Sequence, residues 1–175
     1  MVRDNALSFA GLLSDTMYGP PVRPPQPNLG LNAAFGSTTD WKTSEGEDRY
    51  RRGLYTTWRR SNPYPSMATF DAPSREVCTL RRDSTNTPLQ ALVTLNDPGF
   101  VEAAQGLARR VVQMKAGLET DDLARLQTAF RWTTSRSATQ AELTALADLL
   151  NTARQHFTLD AQAAEQLATV PLGPA

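Results

Sequence analysis

Two helices in immediate succession, each started by a proline, constrain the fold of this chain more than any other feature. Thr87 precedes Pro88 and stands three residues before Gln90, which is the spacing of a capping box. Proline at the first helical position loses no hydrogen bond, because that N–H has no partner in a helix. Asp97 and the proline after it repeat the start signal, so the first helix must end there. The sequence therefore predicts two helices with a fixed corner between them.

Apolar residues at helical spacing predict the remaining elements. The helix after the corner has a predicted apolar face made by Phe100, Ala104, Leu107, Val111 and Met114. Further helical patterns occupy residues 3–14, 121–133 and 139–157, and a short helix follows Asp160. Alternation at residues 54–58 allows a short β pair. We therefore predict a mainly α-helical fold of five to six helices with a long proline-rich arm.

The predicted organisation has three segments. Residues 1–15 form an N-terminal helix that needs a partner, which suggests a domain that begins further upstream. Residues 16–77 form the proline-rich arm and an Arg/aromatic connector, and residues 78–171 form the helical core. Three aromatic residues favour an arm that wraps over its own domain rather than a disordered one, and these predicted anchors are Trp41, Phe35 and Tyr18.

Charge is unevenly distributed along a chain whose net charge is zero. Residues 1–48 carry three basic and six acidic groups, residues 49–82 carry eight and two, and residues 83–175 carry seven and ten. Arginine in the cationic middle stretch suits bidentate pairing with carboxylate, sulfate or phosphate. Codon bias together with internal ion pairs is the simpler explanation of the arginines. A neutral total charge argues against nucleic acid as a partner.

One polar cluster stands out, and two interpretations of it remain open. Its members are Arg59, Asp71, Arg75, Glu76, Arg81 and Arg82. In the first, Asp71 and Glu76 act as an acid/base pair while the arginines hold an anionic substrate. In the second, arginines and carboxylates form a buried or half-buried network that fixes the arm against the helices. The network predicts that Arg81→Ala or Asp71→Ala sharply lowers the melting temperature.

No catalytic residue, metal site or cofactor is predicted. The single cysteine, Cys78, rules out a disulfide within the chain and a CxxCH haem motif, and its apolar neighbours predict a buried, inert thiol. His156 lies in the last turn of a predicted helix without companions for a metal. The chain has no apolar stretch long enough for a membrane span, and its first residues lack a signal-peptide pattern.

Three segments carry a resemblance to a known family. RGLYTTWRR at 52–60, TFDAPSREVCTLRR at 69–82 and TNTPLQALVTLNDPGFVEAA at 85–104 resemble the signature segments of a planctomycete-specific domain of unknown function, numbered 1553. MYGPPVRPPQP at 17–27 and FRWTTSRSATQAEL at 130–143 are similar to further elements of that family, although Ser135 replaces its usual glycine.

The resemblance implies a C-terminal domain of larger, usually exported or periplasmic proteins that often carry a cytochrome-c-like segment. It supplies no catalytic residues. We therefore expect a noncatalytic structural or interaction module whose partners are upstream domains of a longer homologous protein or another protein. The alternative is part of an enzyme or binding groove for acidic or sulfated polysaccharide, with the arginine-rich stretch 49–82 in the groove.

Overall fold

Five of the described α-helices begin with a proline or behind a capping side chain. The structure is a computed structural model that describes residues 1–27, 41–59, 63–81, 83–114 and 122–174. Helices account for 59% of the described residues, so the predicted mainly α class is confirmed. The α-helices are α1 (Val2–Ala10), α2 (Pro65–Thr69), α3 (Pro88–Asn96), α4 (Pro98–Gln113), α5 (Asp122–Thr134), α6 (Gln140–Leu159) and α7 (Ala161–Thr169).

The described chain has seven α-helices rather than five to six, because α2 lies in a stretch predicted as a turn-rich connector. Its first residue is Pro65, which follows the extended residue Tyr64, and it has only five residues. Two 3-10 helices, Gly46–Tyr50 and Gly53–Tyr55, are also present. No strand forms within the described ranges, and the predicted β pair is represented by two isolated parallel bridges, Ser14↔Arg51 and Val22↔Thr56.

Close backbone approaches divide the chain into two units. The first contains Met1–Ser8 and Leu12–Val101, and the second contains Phe9–Gly11 and Glu102–Ala175. The predicted three segments, 1–15, 16–77 and 78–171, follow composition rather than packing, and this division stays a prediction.

The proline-rich arm contributes to the interior of the first unit. Val22 is 3% exposed, and Pro24 and Pro25 are also buried. Trp41 donates from Nε1 to the Pro24 carbonyl at 2.8 Å, which supports its predicted role as an anchor. Tyr18 is 81% exposed, so its prediction as a second anchor was wrong. Phe35 lies outside the described residues.

Two buried arginines fix the arm from within the same unit. Arg51 is 2% exposed, and its guanidinium donates to the carbonyls of Pro20 and Tyr18. Arg3 donates to the carbonyls of Arg51 at 2.9 Å and Arg49 at 3.0 Å. Buried guanidinium groups that bond backbone carbonyls serve structure, because they satisfy acceptors that have no ladder partner. At these two positions the arginine side chains are bonded within the chain.

In the second unit, the part of α4 from Glu102 onward buries a more polar face than its apolar spacing predicts. Glu102, Ala103 and Gln105 are buried, whereas Ala104, a predicted face residue, is exposed. Val111 is buried, as predicted. The reason lies in what α4 contacts, since Gln105 donates from Nε2 to the carbonyls of Leu167 and Val170 at the end of α7.

Arg109 completes the same contact by donating to the Ala168 carbonyl at 2.7 Å and to those of Leu172 and Gly173. The last carbonyls of a helix have no partner inside it and carry partial negative charge, so a guanidinium there is favourable. Two polar side chains of α4 thus cap α7, a contact between distant parts of the sequence.

An ion pair at the start of α6 leads us to predict that the protein loses stability in acid. Arg136 donates to both Glu142 carboxylate oxygens, at 2.6 and 2.9 Å, and together with the Thr139 N–H it lowers the pKa of Glu142 to about 2. The folded pKa lies below the unfolded one, so this contribution is complete above pH 4.5 and is lost as the pH falls toward about 2. Thermal unfolding of the wild type and Glu142→Gln across that range should show a shallower acid dependence in the variant. Parallel curves for the two proteins would contradict the assignment.

Candidate functional site

The predicted corner between α3 and α4 is a single buried residue. The Asp97 N–H donates to the Val93 carbonyl at 2.9 Å and closes α3, while its Oδ1 accepts from the Gly99 N–H at 2.9 Å and opens α4. Ser66 in α2 donates its hydroxyl to the other oxygen, Oδ2. Burial raises the pKa of Asp97, and its hydrogen bonds and the nearby Arg3 charge oppose that shift. One carboxylate therefore holds together α2, the end of α3 and the start of α4.

The start of α3 is fixed by the predicted capping box, which is confirmed. Thr87 Oγ1 accepts from the Gln90 N–H at 3.3 Å, and Gln90 Oε1 accepts from the Thr87 N–H at 3.2 Å. Gln90 is only 8% exposed, and its Nε2 donates to the Thr69 carbonyl at 3.0 Å and to Thr85 Oγ1 at 2.9 Å. The inward side chain that attaches α3 to the end of α2 is therefore polar.

The leucines of α3 face the opposite way. Leu89 and Leu92 are each 57% exposed, and Leu95 is 75% exposed. Their spacing of three residues places them along one side of the helix, where consecutive members are neighbours. α3 contains no charged residue. We call Leu89, Leu92 and Leu95 the α3 leucine face. The uncharged helix α3 thus buries a glutamine and exposes three leucines.

The segment before α3 is also exposed. All described residues from 74 to 89 are exposed, including Val77 at 74% and Leu80 at 105%. Cys78 lies in this segment and is exposed, so the prediction of a buried thiol was wrong. The prediction depended on its apolar neighbours Val77 and Leu80, and these side chains are exposed as well. Exposed apolar side chains therefore occur both in this segment, at Val77 and Leu80, and on α3.

The polar cluster predicted from sequence is placed around this segment. Asp71 is half-buried with φ +57°, and it accepts from the Thr85 N–H at 2.7 Å and from its hydroxyl at 2.8 Å. The Thr85 N–H is the main reason that the pKa of Asp71 is lowered. Arg75 is exposed and lies 5.1 Å from the centre of the Trp58 ring. Asp71 thus has a clear role in attaching the segment before α3.

The other members of the cluster differ in how far they are exposed to solvent. Arg59 is half-buried, while Glu76 and Arg81 are exposed. Arg82 lies outside the described residues. The exposed positions of Arg75 and Arg81 do not favour a buried arginine network, and a shared function of all six residues stays a prediction.

Two clefts in the first unit bear on ligand binding. One, of about 210 Å³, is lined by Trp58 and Glu76 together with small residues of the α2 region. The other, of about 420 Å³, is lined by Arg23, Lys42 and hydroxyl residues. Neither lining includes Arg59, Arg75 or Arg81. The first cleft places Glu76, but not Asp71, on its wall, so it does not assemble the suggested acid/base pair.

Among the described residues, no three His, Cys, Asp or Glu side chains come together as a metal site would require. None of the helices described is both long and apolar enough to cross a membrane.

Sequence reasoning missed several residues of this region. Ser66 and Tyr64 are buried beside Asp97, but both lie in the stretch predicted as a connector. The proline at position 65 was the available signal, since proline is favoured at the first helical position. Arg23 and Lys42 were missed because they are far apart in sequence and only folding brings them to one cleft.

The fold and the site define a helical domain of two units, in which polar side chains fix a helix corner and leave an uncharged helix exposed. A family model described as PSD1, Protein of unknown function (DUF1553), matches residues 1–150. That match covers most of the chain, and the protein belongs to this family. No curated protein and no solved structure matches it.

Proposed function

We propose that this chain is a noncatalytic interaction module, and that it forms the C-terminal part of a larger exported protein of planctomycete type. The α3 leucine face carries the proposal. A soluble protein rarely exposes a contiguous row of large apolar side chains unless another molecule covers them. A helix of this kind fits an apolar groove, with residues three apart as the anchors.

The proposed occupant is a folded protein domain that has an apolar groove with carboxylates at its border. The leucines require an apolar groove on the partner. Because α3 has no charged residue, a charged side chain on the floor of that groove would have no counter-ion on this helix. Carboxylates at the border follow from the exposed Arg75 and Arg81, which precede the helix. The occupant is either an upstream domain of a longer homologous protein, including its cytochrome-c-like segment, or a separate protein.

The alternative is an acidic or sulfated polysaccharide held by the arginine-rich stretch 49–82. It requires Arg59, Arg75 and Arg81 to line one concave surface. Neither cleft described above contains them, and Arg75 lies over the Trp58 ring, which a sugar would need as a platform. Arg51, near the start of the stretch, is buried against backbone carbonyls. These contacts favour the docking role.

Photo-crosslinking in the native cells tests the docking role. A benzophenone amino acid replaces Leu92 in one strain and Leu149 in another, because Leu149 on α6 is 65% exposed and provides a matched control. We expect one discrete product from position 92 that position 149 does not give. The same product from both positions, or products from neither, would contradict docking at α3.

The captured domain, once purified, should lose affinity for a charged variant of the face. Leu92→Glu is expected to weaken binding roughly thirtyfold, because a central apolar anchor is replaced by a carboxylate that faces other carboxylates. Leu149→Glu should leave the dissociation constant unchanged. Isothermal titration calorimetry measures both, and equal losses in the two variants would count against the α3 leucine face.

A further inference from the structure

A second surface of the first unit has the features of a ligand site. Val22 bridges to Thr56, and its backbone donates to the Tyr55 carbonyl and accepts from the Thr57 N–H, each at 2.8 Å. In extended chain, neighbouring side chains point to opposite sides. Val22 and Thr56 are buried, so Arg23 and Thr57 face outward on one side of the paired segments.

A third segment closes the opposite wall. The Ser44 N–H donates to the Arg23 carbonyl at 2.9 Å, and the Arg23 N–H donates to Ser44 Oγ at 3.0 Å. These two bonds hold residues 42–45 beside the arm. The resulting cleft has a volume of about 420 Å³, within the range of small-molecule sites. Backbone hydrogen bonds on both sides of Arg23 fix the position from which its side chain extends.

The lining has a definite chemistry. Two cations, Arg23 and Lys42, face one carboxylate, Glu45, and the remaining polar groups are the hydroxyl residues Thr43, Ser44 and Thr57. Lys42 and Glu45 are 4.0 Å apart with side chains 82% and 87% exposed, which makes a weak pair that a ligand can separate. The cleft therefore offers a net positive charge, together with hydroxyl groups and one strong acceptor.

We propose that this cleft binds an anionic monosaccharide. A guanidinium binds carboxylate or phosphate through two parallel hydrogen bonds, and an ammonium adds a second positive charge. The Glu45 carboxylate accepts hydrogen bonds from sugar hydroxyls, and the Ser and Thr hydroxyls either donate or accept. A bare inorganic anion would use the cations but leave Glu45 as a repulsive neighbour. The proposal does not depend on docking at α3.

NMR titration of the full chain at constant ionic strength tests this assignment. The ligands are glucuronate, glucose 6-phosphate, glucose and inorganic phosphate. We expect one or both sugar anions to shift the amide signals of residues 22, 23, 43–45 and 57. The comparison of glucuronate with glucose 6-phosphate shows whether the cleft prefers a carboxylate or a phosphate. Glucose and inorganic phosphate should each bind at least about tenfold more weakly, because each lacks half of the recognised groups.

Variants of the cleft residues test whether the sugar anion binds in this cleft. Arg23→Ala should weaken binding of the preferred sugar anion about tenfold or more, and Lys42→Gln should weaken it less. Arg131→Ala, at an exposed position on α5, is the matched control and should have no effect. If the thermal transition shows that Arg23→Ala is unfolded, the affinity for the sugar anion is compared in Lys42→Gln and Arg23→Lys instead. Absence of binding at millimolar concentration, equal binding of inorganic phosphate, or affinity unchanged in the cleft variants would overturn the proposal.

Discussion

Tyr64→Ala is expected to lower the free energy of unfolding by about 4 kcal/mol. Tyr64 is 1% exposed, and its hydroxyl donates to the Pro25 carbonyl at 2.6 Å. Its ring stacks on Trp41 with centroids 5.8 Å apart, and Trp41 in turn donates to the Pro24 carbonyl. Burial raises the pKa of Tyr64 to about 12, so its hydroxyl remains a donor even at a pH where an exposed tyrosine would ionise. Removing the ring leaves a cavity and releases the proline-rich arm.

Two variants separate the contributions of the ring and the hydroxyl. Tyr64→Phe keeps the ring and should cost about 1 kcal/mol, the usual value of one hydrogen bond. Tyr18→Ala removes an aromatic ring that is 81% exposed and should change stability by less than about 0.5 kcal/mol. Urea denaturation measures the free energy of unfolding of all three variants. Equal losses for Tyr64→Ala and Tyr18→Ala would show that Tyr64 does not anchor the arm.

Asp97→Ala is expected to cost about 3 kcal/mol, because it removes a helix cap and leaves buried donors unpaired. Its side chain is the acceptor for the Gly99 N–H, which opens α4, and for the Ser66 hydroxyl of α2. Asp97→Asn keeps one acceptor oxygen and should lose less. Asp83→Ala changes an exposed aspartate of the segment before α3 and should be nearly neutral.

The pH dependence of Asp97 has the opposite sign to that of Glu142. Burial raises the folded pKa of Asp97, so the folded state retains a proton that the unfolded state has released. Its contribution is therefore fully present below the unfolded pKa and declines as the pH rises through the folded one. Asp97→Asn should remove this decline. A decline identical in wild type and variant would assign it to another group.

Local rules predicted the elements whose determinants are close in sequence. The capping box at Thr87 and the start of α4 at Asp97 each depend on residues within one helical turn, and each is present. α2 was missed because its only local signal is Pro65 and its stability comes from the buried residues Tyr64 and Ser66.

The burial of individual faces could not be predicted in the same way. Leucines of α3 have the spacing of a core-facing helix, yet they are exposed because Gln90 occupies the contact with α2. Polar Gln105 is buried because the end of α7 supplies carbonyl acceptors. Both outcomes depend on partners many residues away, and hydrophobic spacing alone gives no information about those partners.

Hydrogen exchange on the assembly isolated from native cells tests the central claim most directly. The amides of residues 77–95 are compared between the isolated chain and the chain in its native assembly, with α6 as the internal reference. Docking at the α3 leucine face predicts slower exchange in residues 77–95 of the assembly and unchanged exchange in α6. Exchange in residues 77–95 that is the same in both samples, or protection confined to α6, would contradict it.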